Sequence, residues 1–414
     1  MRTPPLPTAP HALLAWPALL AVGGGLAAWF LVVQAFWGGF GAGHAELWAS
    51  PDSVTYREVA AWIAGGPATE NTLIRPFFYP ALLAAALSLM GPAGPLVLQT
   101  AAWIGTGVSV YAGAALVTGR RAWALAATAL FASNLSLMLL VRQALTEPVA
   151  AFLLGLLAVV WARRLHRPTR AGLLGAVLLA ALLTAVKPVY VLVLLPTAGY
   201  AAWRGVRAAG GVRRGRFAVG LALALLPVAV QLGIMRHQHG LWALSTIGER
   251  AVADYFVPRV YGAVRGVSVE AARAQTGPLS AAAHRRFLLG HPGATLRTFA
   301  GLVVENVAAR SNAIRPDQRA AYLYMRAWNA AALAVHVAGL VALGVALVRW
   351  RRRRAWPPAE VALALAVPVY AVLLTAGLTY WQGDRIVLPV LPVWLVLYPL
   401  VLTAVSPRAR ARRS

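Results

Sequence analysis

Long apolar runs broken by short polar ones recur along the chain from Ala12 to Ser406. A helix needs about 20 apolar residues to cross the roughly 30 Å hydrocarbon layer of a bilayer. On that rule the runs predict ten spanning helices, at 12–36, 94–118, 122–140, 147–162, 171–186, 188–203, 217–235, 327–348, 359–379 and 386–405. The stretch 76–90 is apolar but short, and reads as a re-entrant or juxtamembrane helix. In the polar segment 237–326, irregular charges, aromatics (Tyr255, Phe256, Tyr261, Phe287) and breakers (Pro258, Gly277-Pro278, Pro292) predict several short helices resting on the membrane. Three regions follow: a transmembrane module over 1–236 with a long first loop at 37–93, a helical loop region at 237–326, and C-terminal helices with a basic tail at 327–414. No internal repeat is visible.

Composition agrees with the pattern. Of 414 residues 60% are hydrophobic and 12% charged, too apolar for one soluble core to absorb. The apolar run after residues 1–11 is too long for a cleaved signal, so the first helix is expected to stay as an anchor. Cysteine is absent, which excludes disulfides, thiolate metal sites and cysteine nucleophiles.

The net charge of +26 would suggest nucleic acid in a soluble protein. Here the arginines fall in short runs between apolar segments, which is a mark of topology and not of nucleic-acid binding. With 76–90 left as non-crossing, Arg120-Arg121 and the runs at 163–170, 204–216, 349–354 and 408–413 share one side, cytoplasmic by the positive-inside rule. Both termini then lie inside. Eleven of the twelve acids, all but Glu360, fall outside, although acids played no part in the assignment. The composition and short outer loops point to a bacterial inner or plasma membrane.

Candidate chemistry gathers on that outer face. Ser50-Pro51-Asp52-Ser53-Val54-Thr55-Tyr56 opens an amphipathic helix in the first loop, where Asp52 is either a helix cap, as Ser50 could also be, or a general base at the membrane edge. Arg75, Arg142, Lys187 and Arg385 sit at predicted outer helix ends, where topology disfavours positive charge. The plain alternative for each is a side chain snorkelling to the headgroups. Lys187 is the only lysine, set between apolar runs at a break made by Pro188. His237 and His239 have no carboxylate at a metal-ligand spacing. The sequence requires no cofactor, and a divalent metal stays open.

In order along the chain, Asp52 and Tyr56, Arg75-Pro76-Phe77-Phe78-Tyr79-Pro80, Gly119-Arg120-Arg121, Arg142-Gln143-Ala144-Leu145-Thr146-Glu147-Pro148, Lys187-Pro188, Gly290-His291-Pro292-Gly293 and Asp384-Arg385 through Pro392 resemble the motifs of GT-C class membrane glycosyltransferases. Closest in look are the family 39 enzymes, which include protein O-mannosyltransferases and lipid A aminoarabinose transferases. Two positions depart from that pattern: Phe77 replaces a second proline, and Asp52-Ser53 replaces an Asp-Glu pair, which argues against a close protein O-mannosyltransferase. The resemblance implies a GT-C type all-α membrane fold and transfer of a sugar from a polyprenyl-phosphate donor to a glycan, lipid or protein acceptor. It implies Asp52 as general base. Tyr56, Arg75, Arg142, Glu147, Lys187 and Arg385 would bind substrate. A transporter or lipid-linked sugar flippase is the competing expectation, and would need broken helices with polar groups near the midplane. A non-catalytic membrane scaffold is a third.

Overall fold

The structure, a computed structural model, describes residues 11–36, 47–207, 211–308, 314, 319–352, 375–379 and 383–405. All regular structure among these residues is helical. Four helical stretches are long and apolar enough to cross a membrane: Trp16–Phe36, Phe78–Thr118, Thr146–His166 and Arg214–His239. Arg121–Ala132, Arg170–Val186 and Leu388–Leu397 are apolar but shorter.

We number the helices that position the site α1 (Trp16–Phe36), α2 (Pro51–Ile63), α3 (Phe78–Met90), α4 (Gly94–Thr118), α5 (Arg121–Ala132), α6 (Leu135–Leu140), α7 (Thr146–His166), α8 (Arg170–Val186), α9 (Val191–Arg207) and α10 (Gly211–His239). The segment 247–308 holds α11 (Val257–Arg265), α12 (Val269–Thr276), α13 (Ala281–Gly290) and α14 (Pro292–Ala308), which are the short helices its breakers predict. Then follow α15 (Arg319–Arg352) and α16 (Leu391–Val405). The predicted span 359–379 lies outside the described residues, apart from its last residues, 375–379.

One predicted span is not a single helix. The run 122–140 breaks at Ser133-Asn134 into α5 and α6. Short polar side chains there compete for backbone groups. Ser133 Oγ donates to the Leu130 carbonyl, and Asn134 Oδ1 accepts from the Leu137 amide as the cap of α6.

The stretch Phe78–Thr118 is also not one straight rod. It reverses at Gly91, which takes φ +61°, a left-handed value that favours glycine. The hairpin is closed further along, where Gln99 Nε2 donates to Tyr79 Oη at 2.5 Å. At the turn, a Cβ on Gly94 would lie 2.0 Å from the Ala86 carbonyl oxygen. α3 therefore runs antiparallel to the start of α4.

α4 is the central helix and packs against α1, α3, α5, α7 and α16, while α8 packs on α7 and α10. Small residues allow the close approach, as is usual where helices meet in a membrane. Gly113 faces Val396 and Gly105 faces the Phe152 ring, with no space at either for a Cβ. Phe30, Trp103 and Phe131 stack at tilted angles through the middle, with Trp103 fully buried.

Candidate functional site

At the end of the bundle where α7 and α16 begin and α8 ends, charged side chains from five distant segments meet. Local sequence explains each placement. Ser50, extended at φ −84° and ψ 146°, caps α2 by accepting from the Ser53 amide, with Pro51 at the first helical position. Ser50 thus takes the capping role, and the Asp52 carboxylate is left to face its neighbours. Pro76 keeps Arg75 extended at φ −94° and ψ 139°, which ends the one-turn helix Asn71–Ile74. Lys187 ends α8, because Pro188 cannot continue it. Glu147 lies in the first turn of α7, and Arg385 in the single turn Gly383–Ile386 ahead of α16.

The ion pairs form one chain. Asp52 Oδ1 accepts from Arg75 Nη2 at 2.5 Å, and Asp52 Oδ2 accepts from Arg385 Nη2. Arg385 Nε reaches Glu147 Oε1 at 3.2 Å, and Lys187 Nζ reaches the same oxygen at 3.3 Å. Glu147 is almost fully buried, with its side chain 1% exposed, whereas Asp52 keeps 26%. Arg75 is itself held by Thr55 Oγ1 at 2.9 Å and lies over the Tyr56 ring, 4.7 Å from its centroid. Tyr56 meets Tyr79 edge-on at 5.0 Å. Three cations (Arg75, Lys187, Arg385) face two carboxylates (Asp52, Glu147), which leaves one net positive charge.

That electrostatic setting fixes the state of Asp52. Burial alone would raise its carboxyl, but the Arg385 and Arg75 guanidiniums more than reverse this and hold it well below the usual carboxylate range. Burial pushes the Tyr56 phenol up, against the pull of Arg75, so it stays a neutral hydroxyl. A carboxylate gripped on both oxygens takes a proton from a hydroxyl poorly. It becomes a better base once a guanidinium is drawn off.

Six of the seven residues singled out in the sequence stand in this cluster: Asp52, Tyr56, Arg75, Glu147, Lys187 and Arg385. Arg142 lies five residues before Glu147, half-buried in the turn between α6 and α7, with its amide bonded to the Leu139 carbonyl. His291 is a turn residue, its Nδ1 2.9 Å from the Phe287 carbonyl. Among the described residues no three His, Asp or Glu side chains gather as a metal site.

Sequence reasoning missed Gln99, whose Nε2 also donates to the Leu145 carbonyl at 2.8 Å and so supports the start of α7 beside Glu147. A lone amide inside an apolar run was the available signal. Gln231 in α10 is the parallel case, accepting from the Phe77 amide at 2.9 Å and donating to Leu244 at 2.7 Å. Beside it an open cavity of about 730 Å³, lined by Trp62, Phe77, Ala81, Val230, Ile234 and His237 among others, begins two residues from Arg75. No family model, curated protein or solved structure matches the chain.

Proposed function

We propose that this chain is a multi-pass membrane glycosyltransferase of GT-C type that moves a sugar from a polyprenyl-phosphate donor to an acceptor at the outer face. The observation that carries the reading is the meeting of Asp52, Arg75, Glu147, Lys187 and Arg385 at one end of the bundle, from positions as far apart as 333 residues. Ten spans with both termini inside would put that end outside the cell membrane and the arginine-rich loops in the cytoplasm.

Each group then has a task. Departure of a lipid phosphate leaves negative charge, which Arg75, Lys187 and Arg385 stabilise as fixed donors. Asp52 accepts the proton of the acceptor hydroxyl as the anomeric carbon is attacked opposite the phosphate, and a single displacement inverts that centre. Glu147 keeps Lys187 and Arg385 in place, Tyr56 hydrogen-bonds sugar or phosphate, and Arg142 borders the site. The cavity lined by Trp62, Phe77 and Ile234 is apolar enough for the isoprenoid chain. For a transporter the charged groups would be expected near the midplane, and here they stand at helix ends.

The test is transfer from a panel of radiolabelled polyprenyl-phosphate sugars in membranes with matched amounts of wild type or Asp52→Ala. Label transfer by wild type alone is expected. Equal transfer by both would remove Asp52 from the chemistry, and transfer by neither would count against the enzyme.

A further inference from the structure

One buried side chain outside the charged cluster has no task in the reaction just described and yet holds three backbone groups of a segment far away in the chain. Asn306, on α14 in the helical region 247–308, has no exposed surface. Its Nδ2 lies 2.9 Å from the Ala376 carbonyl, 2.6 Å from the Thr379 carbonyl and 3.1 Å from the carbonyl of Leu302 on its own helix. Its Oδ1 accepts from the Gly383 amide at 3.1 Å. One amide therefore ties Thr379 to Gly383, two residues before Arg385.

The same face of α14 supplies the rest of the seat. Phe299 sits two turns earlier against Gly377, where a Cβ would come within 2.2 Å of the ring, and Leu302 between them is buried. Gly383 adopts φ +58°, a left-handed conformation that favours glycine, at the start of the single turn Gly383–Ile386. Arg385 follows two residues later, and must place Nη2 on Asp52 and Nε on Glu147 together. A guanidinium that bridges two carboxylates tolerates little movement of its backbone, since misplacement by about 1 Å can remove most of a site's effect.

We infer that Asn306 is the positioning residue for Arg385, and that through it the helical region 247–308 forms part of the phosphate site instead of an independent appendage. The inference rests on the proposed phosphate chemistry for its consequence, but its geometry can be tested apart from it. Replacement by alanine removes both donor and acceptor and leaves the Ala376, Thr379 and Gly383 backbone groups without this partner.

The experiment uses the full chain in nanodiscs, with Asn306→Ala, Arg385→Gln and the double variant. Binding of a short-chain polyprenyl phosphate and hydrogen exchange of the 383–388 backbone are both measured. Asn306→Ala is expected to weaken binding about tenfold, the size of one charge-assisted hydrogen bond, and to add nothing in the Arg385→Gln background. Exchange at 383–386 should quicken while α2 keeps its protection. Additive losses in the double variant, or unchanged binding and exchange in Asn306→Ala, would overturn the inference. If wild type binds no polyprenyl phosphate, the phosphate reading fails and the exchange result alone decides the role of Asn306. Asn306→Ser keeps one donor and one acceptor, and serves in the same way should the alanine chain not fold.

Discussion

Replacing Asp52 by asparagine should abolish transfer and at the same time tighten binding of the phosphate. The carboxylate occupies one nitrogen each of Arg75 and Arg385, so it competes with an incoming anion for the donors the anion needs. An anion that takes over one guanidinium must first break one charge-assisted hydrogen bond, a net cost of about 1.5–3 kcal/mol. At about 1.4 kcal/mol for each factor of ten, sparing that exchange makes binding roughly 10- to 100-fold tighter. The asparagine oxygen still accepts a weak bond, which favours the lower figure. The removed charge acts the same way, since the local balance rises from one net positive charge to two. Titration of a short-chain polyprenyl phosphate into nanodiscs of neutral lipid, carrying wild type or Asp52→Asn, measures the difference directly. Equal or weaker binding by Asp52→Asn would refute the reasoning, because the carboxylate would then not be competing with the phosphate for the two guanidiniums.

The depressed Asp52 carboxyl also sets a pH dependence of stability. Its folded pKa lies below the unfolded value of about 3.9, so the contribution is fully present above that value and is lost as pH falls through the folded pKa. The difference in melting temperature between wild type and Asp52→Asn should therefore be flat from pH 8 to about 5 and shrink only below about 4; a difference that vanishes by pH 6 would contradict the pairing. Glu147→Gln leaves the Lys187 ammonium and the Arg385 guanidinium short of a buried counter-charge, and breaking a buried pair costs roughly 3–5 kcal/mol. Thermal unfolding in detergent checks it, and an unchanged midpoint would mean that the pairs contribute nothing. Gly94→Ala forces a methyl onto the Ala86 carbonyl and should destabilise the α3–α4 hairpin, whereas Gly233→Ala in α10 meets nothing within 4 Å and should be neutral or slightly stabilising. Similar melting temperatures for the two alanine variants would refute the hairpin packing.

Apolar run length was enough to place α1, α4, α7, α8, α9 and α10 to within several residues, because burial in lipid or against other helices leaves a long, simple signature. It failed at Ser133-Asn134, where the run stays mostly apolar while two short polar side chains divert the backbone. The break at 91–93 was legible as the gap between the short run 76–90 and the span 94–118, whereas the sharpness of the reversal at Gly91 was not. Among site residues, charge against the topological grain marked Arg75, Lys187 and Arg385, and a proline break marked Lys187 twice over. Which acid meets which base was beyond reach, because the pairing of Asp52 with Arg385 depends on the docking of helices far apart in the chain. Asn306 gave no local sign at all: its importance lies in backbone groups of residues 376, 379 and 383, which any side chain could have carried.

The bridge from Arg385 to both Asp52 and Glu147 has a consequence for biosynthesis. Ribosomes add about 5–20 residues per second, so the 333 residues between Asp52 and Arg385 take roughly 15–70 s to appear. Asp52, and for the last 238 of those residues Glu147 as well, waits without the common arginine. A nascent chain stalled or cleaved short of Gly383 would carry every helix up to α15 with Asp52 held by Arg75 alone and Glu147 by Lys187 alone, two separate pairs that only Arg385 joins.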